Sequence, residues 1–261
     1  MSGVYLFLPV MVFCLSSLVC TIYFLVSKKL CKGKNGAKRA GLLGYASGAC
    51  NSGYFGLPIA SSIFEDPVVA VYIASAQGIA LYEFTVGIYV LALGKCSKIR
   101  AFFHIFKLPI IYAFCFGLIL NYFDLVLPEP IQNTMTNIQG AYIIMGMLLL
   151  GISLSSVKSL KFDFSFLFSV LSAKYIVFPA IGFLIVALDV FLLHIYPDEI
   201  HKMIILLFTM PPALNTVLFA LLYDHHQEEA ATTVLLGTVI GLLYIISIIG
   251  FAYDWIPHCK T

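Results

Sequence analysis

Eight apolar segments can be drawn along the chain, near Val4–Val26, Ala40–Phe64, Val68–Gly94, Phe103–Phe123, Ile138–Leu154, Phe164–Leu193, Met203–Tyr223 and Ala230–Tyr253. Each is compatible with the roughly 20 residues that a membrane-crossing helix needs, the fifth being the shortest. The polar residues between them are sorted by charge. The first connection holds Lys28, Lys29, Lys32, Lys34, Lys38 and Arg39, the third Lys95, Lys98, Arg100 and Lys107, and the fifth Lys158 and Lys161. With spans that alternate in direction, 12 of the 15 basic residues lie on one side. The opposite side has Lys202 and Lys260, and collects Glu65, Asp66, Asp124, Glu129, Asp198 and Glu199. Basic connections stay in the cytoplasm, which predicts that both termini are non-cytoplasmic.

Two of the segments carry breakers at mid-depth. The second contains Asn51-Ser-Gly-Tyr-Phe-Gly-Leu-Pro58, with Gly41, Gly44 and Gly48 before it. A helix here holds Gly53 and Gly56 in its middle and reaches Pro58, which has no N–H and clashes with the preceding turn. The seventh contains Met210-Pro-Pro-Ala-Leu-Asn215. Freed backbone groups in hydrocarbon cost several kcal/mol each unless protein or a water-filled cavity satisfies them, so a break at this depth points to a site. The half-helix beyond such a break aims its positive dipole end at the gap. The two segments cross in opposite directions, and each has a Pro and an Asn near mid-depth, the pattern of an inverted-topology repeat. Segments one to three then match six to eight. The chain reads as a single transporter domain over residues 1–261, with a partial first repeat at 1–94 and a second repeat at 103–253. On this reading it is a five-plus-five arrangement lacking its first two spans.

Composition agrees. The 261 residues are 61% hydrophobic and 11% charged, with a mean hydropathy of +0.99. Soluble domains carry about 25% charged residues, so the expected class is an all-α integral membrane protein. The net charge of +2 adds little. The seven cysteines (Cys14, Cys20, Cys31, Cys50, Cys96, Cys115 and Cys259) form no CxxC pair. They are expected to be reduced, small buried side chains, with no disulfide or metal framework. No cleavable signal peptide is evident, because the first apolar run is long enough to span. No nucleophile with a base, phosphate loop or carboxylate pair suggests catalysis, and the Lys28–Arg39 run suits topology and anionic lipid better than nucleic acid.

With both breaks in view, the chain resembles the auxin efflux carrier family of permeases, within the wider bile acid/auxin transporter superfamily. The residues that carry the resemblance are Asn51-x-Gly53-x-x-Gly56-x-Pro58 in the first half. In the second half they are Met210-Pro211-Pro212-Ala213 with Asn215, continuing into Ala220-x-x-Tyr223 and Glu229–Leu236. Lys174 followed by Pro179 also looks like the family. The resemblance implies a ten-helix fold with two crossing broken helices, a site where they cross, and small organic anions as substrates. Auxin is the substrate of plant members and malate-like dicarboxylates of bacterial ones. The chain departs from the family in its first two spans.

The candidate substrate-binding residues are therefore Asn51, Gly53, Gly56, Pro58, Pro211, Pro212 and Asn215, joined by Glu83 and Lys174. Glu83 lies deep in the third segment, near Gln77 and Gly78, where a charge costs about 2.5–3.5 kcal/mol and calls for a cavity or a partner. Lys174 is roughly ten residues into the sixth, about 15 Å along a helix. It either snorkels toward the cytoplasm or serves as counter-charge to a substrate anion or to Glu83. Gly237 and Gly241 form a small-xxx-small packing face. His225, His226, Glu228 and Glu229 are expected in a solvated cytoplasmic loop, and the 15 Tyr and 22 Phe at bilayer interfaces and lipid-facing surfaces. The function these readings predict is a secondary transporter of a small organic anion working by alternating access. Its expected partners are that anion, the lipid bilayer and a second copy of the chain in a homodimer, with no nucleic acid. No cofactor or metal is expected, and coupling to H+ or Na+ stays open. The expected location is the bacterial inner (cell) membrane. The alternatives are a non-transporting membrane scaffold and a sodium-coupled symporter of the bile acid type.

Overall fold

The computed structural model of the chain describes residues 5, 7–30, 34–123, 125–155 and 162–258. Val4, Cys31, Lys32, Asp124, Lys158, Lys161, Cys259 and Lys260, which the sequence reading used, lie outside the described residues. The described residues form α-helices and π-helical turns, and their one isolated β-bridge joins Cys50 to Pro212. The protein is an all-α membrane protein.

Helix α1 is Phe7–Leu30. The second apolar segment divides into α2, Lys34–Gly48, and α3, Leu57–Ile63, with a π turn at Ser52–Gly56 between them. Helix α4, Asp66–Tyr82, runs through a second π turn at Glu83–Gly87 into α5, Ile88–Ala92. The fourth segment is two helices, α6 at Lys98–Ile105 and α7 at Pro109–Tyr122, bent by 52°. Pro109 sits in the first turn of α7, where its fixed φ and missing N–H are tolerated, and it cannot prolong α6. Helix α8 is Glu129–Ser155. The sixth segment is α9, Phe164–Ser172, and α10, Phe178–Leu188, with π turns at Ala173–Val177 and Asp189–Leu193. The seventh divides into α11, Asp198–Phe208, and α12, Asn215–Tyr223. Helix α13 is Gln227–His258.

Among the described residues, four stretches are long and apolar enough to cross a membrane: Phe7–Leu30, Asp66–Ala92, Phe164–Leu193 and Gln227–Ile248. The bent α6–α7 pair adds a fifth when taken as one span. The halves of the second and seventh segments are each too short to cross alone.

The first, third, fifth and seventh connections meet at one end of the molecule. The Arg39 guanidinium donates to Asp163 Oδ2 at 2.7 Å, and Lys38 Nζ lies 3.3 Å from Asp224 Oδ2. Asp163 also caps α9, accepting the Phe166 amide at 3.0 Å. Burial works against its charge, but that amide and Arg39 outweigh burial and hold the carboxyl below the usual range. His225 corrects the solvated-loop expectation. It is fully buried, packed beside Gly94 and Lys38. Burial, with Lys38 adding repulsion, pushes its imidazole down to about 4. At the opposite end, Tyr5 stacks on Tyr196.

Two large apolar cores fill the bundle, with a small third cluster of Val217, Ala231 and Val234 between α12 and α13. One contains Val71, Phe178 and Ile204–Phe208 and stops at Cys50, Ile79, Ala173 and Met210. The other contains Leu42, Ala46 and Leu91 and stops at Ala49, Tyr82, Val170 and Ala213. The border between them runs through both helix breaks. Helices α7 and α8 stand apart. None of the residues of α7 is buried, and α8 packs mainly on the Ser52–Gly56 turn.

Candidate functional site

The two unwound segments cross and bond to each other. The Asn51 amide donates to the Pro211 carbonyl at 2.9 Å, and the Ala213 amide reaches the Ala49 carbonyl at 3.4 Å. Each break thus satisfies backbone groups that the other leaves open, as burial in an apolar slab requires. The first break lies at Ala49–Asn51, earlier than the clash expected at Pro58. Pro58 instead lies at the start of α3, directly behind the π turn, within a helical segment that runs on from Ser52 to Ile63. Gly56 closes the π turn by donating to the Asn51 carbonyl at 3.0 Å. It has to be glycine, because a Cβ there meets the Tyr72 hydroxyl and Met210 Sδ. On the other side, Gly237 and Gly241 of α13 form the packing face expected of them, and what they receive is Pro212 and Pro211.

A cavity of about 280 Å³ opens beside the crossing. Asn51, Ser52 and Gly53 line it from the first break, Leu214 and Asn215 from the second, and Gln77 and Glu83 from α4 and its π turn. Asn215 Nδ2 donates to Glu83 Oε2 at 2.6 Å, which joins the second broken span to the third apolar segment. Asn51, at 6% exposure, and Glu83, at 4%, are buried. Tyr142 of α8 closes the outer side by stacking on Tyr54, with ring centroids 4.4 Å apart. A larger cavity, about 580 Å³, lies under α6 among Phe13, Leu81, Val86 and Phe102. Its wall is almost wholly apolar, which suits an acyl chain, so polar chemistry belongs to the smaller space.

The structure brings Asn51, Gly53, Glu83 and Asn215 onto one cavity. Gly56, Pro58, Pro211 and Pro212 shape the backbone around it. Lys174 does not line it. Its side chain is fully buried, which removes the snorkelling reading. Nζ lies 3.2 Å from Cys50 Sγ and 4.1 Å from the centre of the Phe178 ring. No direct ion pair joins it to Glu83, although the two charges act on each other through space. Both residues sit in π turns, Glu83 at the start of one and Lys174 inside another. Such turns rotate a side chain out of the regular helical register and recur at functional sites.

Several participants escaped the sequence reading. Tyr72 donates to the Ser52 carbonyl at 3.0 Å and Tyr82 to the Tyr45 carbonyl at 2.9 Å. These three tyrosines are fully buried, against their assignment to bilayer interfaces. Cys50 and Cys20 are buried as expected, whereas Cys14 and Cys115 are exposed. At the far end of α10, Asp189 accepts from His201 Nε2 at 2.8 Å and from the Tyr196 amide at 3.0 Å. Nothing in the local sequence marks that pair, since twelve residues separate its members.

Residues 94–249 match the family model described as "Membrane transport protein". The chain is also similar to an uncharacterized transporter of Methanocaldococcus jannaschii, at 27% identity over 246 residues, covering 92% of this chain and 77% of the relative. Two crossing broken helices around a polar cavity, in a chain that this model matches over more than half its length, fit together: the chain belongs to the membrane transport protein family.

Proposed function

We propose that the protein is a secondary carrier that moves a small organic anion, such as malate or another carboxylate, across the cell membrane by alternating access. The observation that carries this reading is the crossing itself. The helical segment from Ser52 to Ile63 and helix α12 both start at the cavity. Their positive dipole ends favour negative charge, and the Asn51 and Asn215 carboxamides supply neutral donors beside them. Residues 1–94 and 103–253 act on this reading as the two inverted halves, which rock about the bridge between Ala49–Asn51 and Pro211–Ala213. Basic connections face the cytoplasm and the termini face outward.

The test is uptake of labelled L-malate by proteoliposomes. A carrier gives a rate that saturates with concentration, and Asn51→Ala and Asn215→Ala each lower it at least tenfold, about 1.4 kcal/mol of lost binding. Flux that rises linearly without saturation would sink the carrier reading.

A further inference from the structure

The cavity wall and the proposed cargo have the same sign of charge. Among the described residues that line the cavity, Glu83 is the only ionisable acid of the carboxylate type, and none is Lys, Arg or His. The groups that face Glu83 are the Tyr45 hydroxyl from α2, the Tyr82 hydroxyl from α4, the Cys50 thiol of the first break, Asn215 of α12, Tyr142 of α8, and Lys174. Lys174 is the one cation in that set, and its ammonium is turned onto Cys50 Sγ, behind the cavity wall. One fixed positive charge balances one negative charge in a buried site, and a second negative charge is left without compensation. An empty cavity is balanced with Glu83 ionised against Lys174. A cavity holding an organic anion is balanced only when Glu83 is neutral.

We propose that Glu83 takes up one proton when the anion enters, so that the protein carries one proton with each anion. This rests on the anion-carrier reading above. The proton comes from the compartment that supplies the anion and bonds to Glu83 Oε1, because Asn215 Nδ2 already occupies Oε2. It leaves to the other compartment after the anion does, which restores the pairing with Lys174. With a singly charged anion both the loaded and the empty site are then neutral at the level where the two apolar cores meet, whereas a dicarboxylate such as malate carries its second negative charge across with it.

The experiment uses the full chain in proteoliposomes with L-malate at equal concentration on both sides and a pH step across the membrane. Labelled malate is expected to accumulate on the alkaline side above its equilibrium level. Glu83→Gln, whatever its residual exchange rate, is expected to lose the accumulation completely. In parallel, adding malate to the detergent-solubilised protein in weak buffer is expected to draw protons from solution and to raise the infrared signal of a protonated carboxyl. That gain should be missing in Glu83→Gln, and Glu83→Asp, which keeps the acid, should retain it. Saturable malate flux with no pH-driven accumulation, or accumulation that survives in Glu83→Gln or depends on Na+, overturns the proton step and leaves the anion reading standing. Absence of both flux and malate-induced proton uptake overturns the anion reading and the proton step together.

Discussion

The two helix breaks meet at one point but are built by different means. The first uses glycine and a π turn. Its backbone keeps every N–H, and the turn is closed by the Gly56 amide on the Asn51 carbonyl. The second uses Pro211 and Pro212, which have no N–H to give and fixed φ angles. It lies in a bed made by Gly237 and Gly241 of α13. A glycine break can exchange its hydrogen bonds for others as the chain moves, whereas a proline break cannot wind back into a helix. The first break is thus suited to change shape and the second to serve as its fixed reference.

The largest expected effect is at Gly56. Gly56→Leu places a side chain against Tyr72 and Met210 and should remove the folded peak in fluorescence-detected size exclusion. Gly53→Leu is the contrasting case, because a Cβ there stands 3.2 Å from the Tyr142 hydroxyl on the cavity side. That variant should insert and fold but lose transport, and retention of malate uptake would detach the cavity from the function.

A smaller effect tests the fixed side. Gly237→Val pushes on the Pro212 ring, whose Cγ is 2.7 Å from the added Cβ, and should cost about 1–3 kcal/mol of stability as overpacking. Pro211→Ala and Pro212→Ala leave that packing mostly in place. Each should cost only about 0.4–1 kcal/mol through the greater freedom of the unfolded chain. Proline variants more harmful than Gly237→Val would reverse the assignment of rigid and mobile sides.

The two broken spans meet at one end, where Lys38 of α2 contacts Asp224, next to buried His225. Burial keeps that imidazole neutral down to about pH 4, while the unfolded chain takes a proton near 6.5. Between those values the unfolded state binds more protons, so stability falls as pH drops from about 6.5 to 4 and levels off below. Thermal melts at pH 7 and pH 5 should differ, and His225→Gln should shrink the difference. A similarly small effect is expected for Asp163→Ala, about 1 kcal/mol from the lost α9 cap, with both breaks untouched.

What the sequence made legible was whatever local chemistry dictates. Pro211 and Pro212 announce their break because backbone sterics belong to the residue itself, whereas Gly53 and Gly56 mark the π turn that follows the first break at Ala49–Asn51. The apolar blocks announce the helices, and the connections that hold Lys38, Arg39 and Gly94 do meet at one end. What stayed hidden depends on partners distant in the chain. Lys174 is aimed at Cys50, 124 residues away, and Asn215 at Glu83, 132 residues away. The π turns that rotate Glu83 and Lys174 leave no compositional trace, and neither does the burial of Tyr45, Tyr72 and Tyr82. His225 reads as a loop residue because its neighbours are polar, yet the fold closes Lys38 and Gly94 over it.

The stacked pair of Tyr54 and Tyr142 gives the cavity an unusual door. Most of the cavity wall belongs to the packed bundle, and Ile110 of α7 also reaches it. On the α8 side it is bounded by one ring lying on another, carried by a helix with little else to hold it. The same cavity is lined by Asn51 and Glu83, so parting the two rings opens it on the α8 side. What separates the α8 flank from Asn51 and Glu83 is therefore a pair of stacked phenol rings.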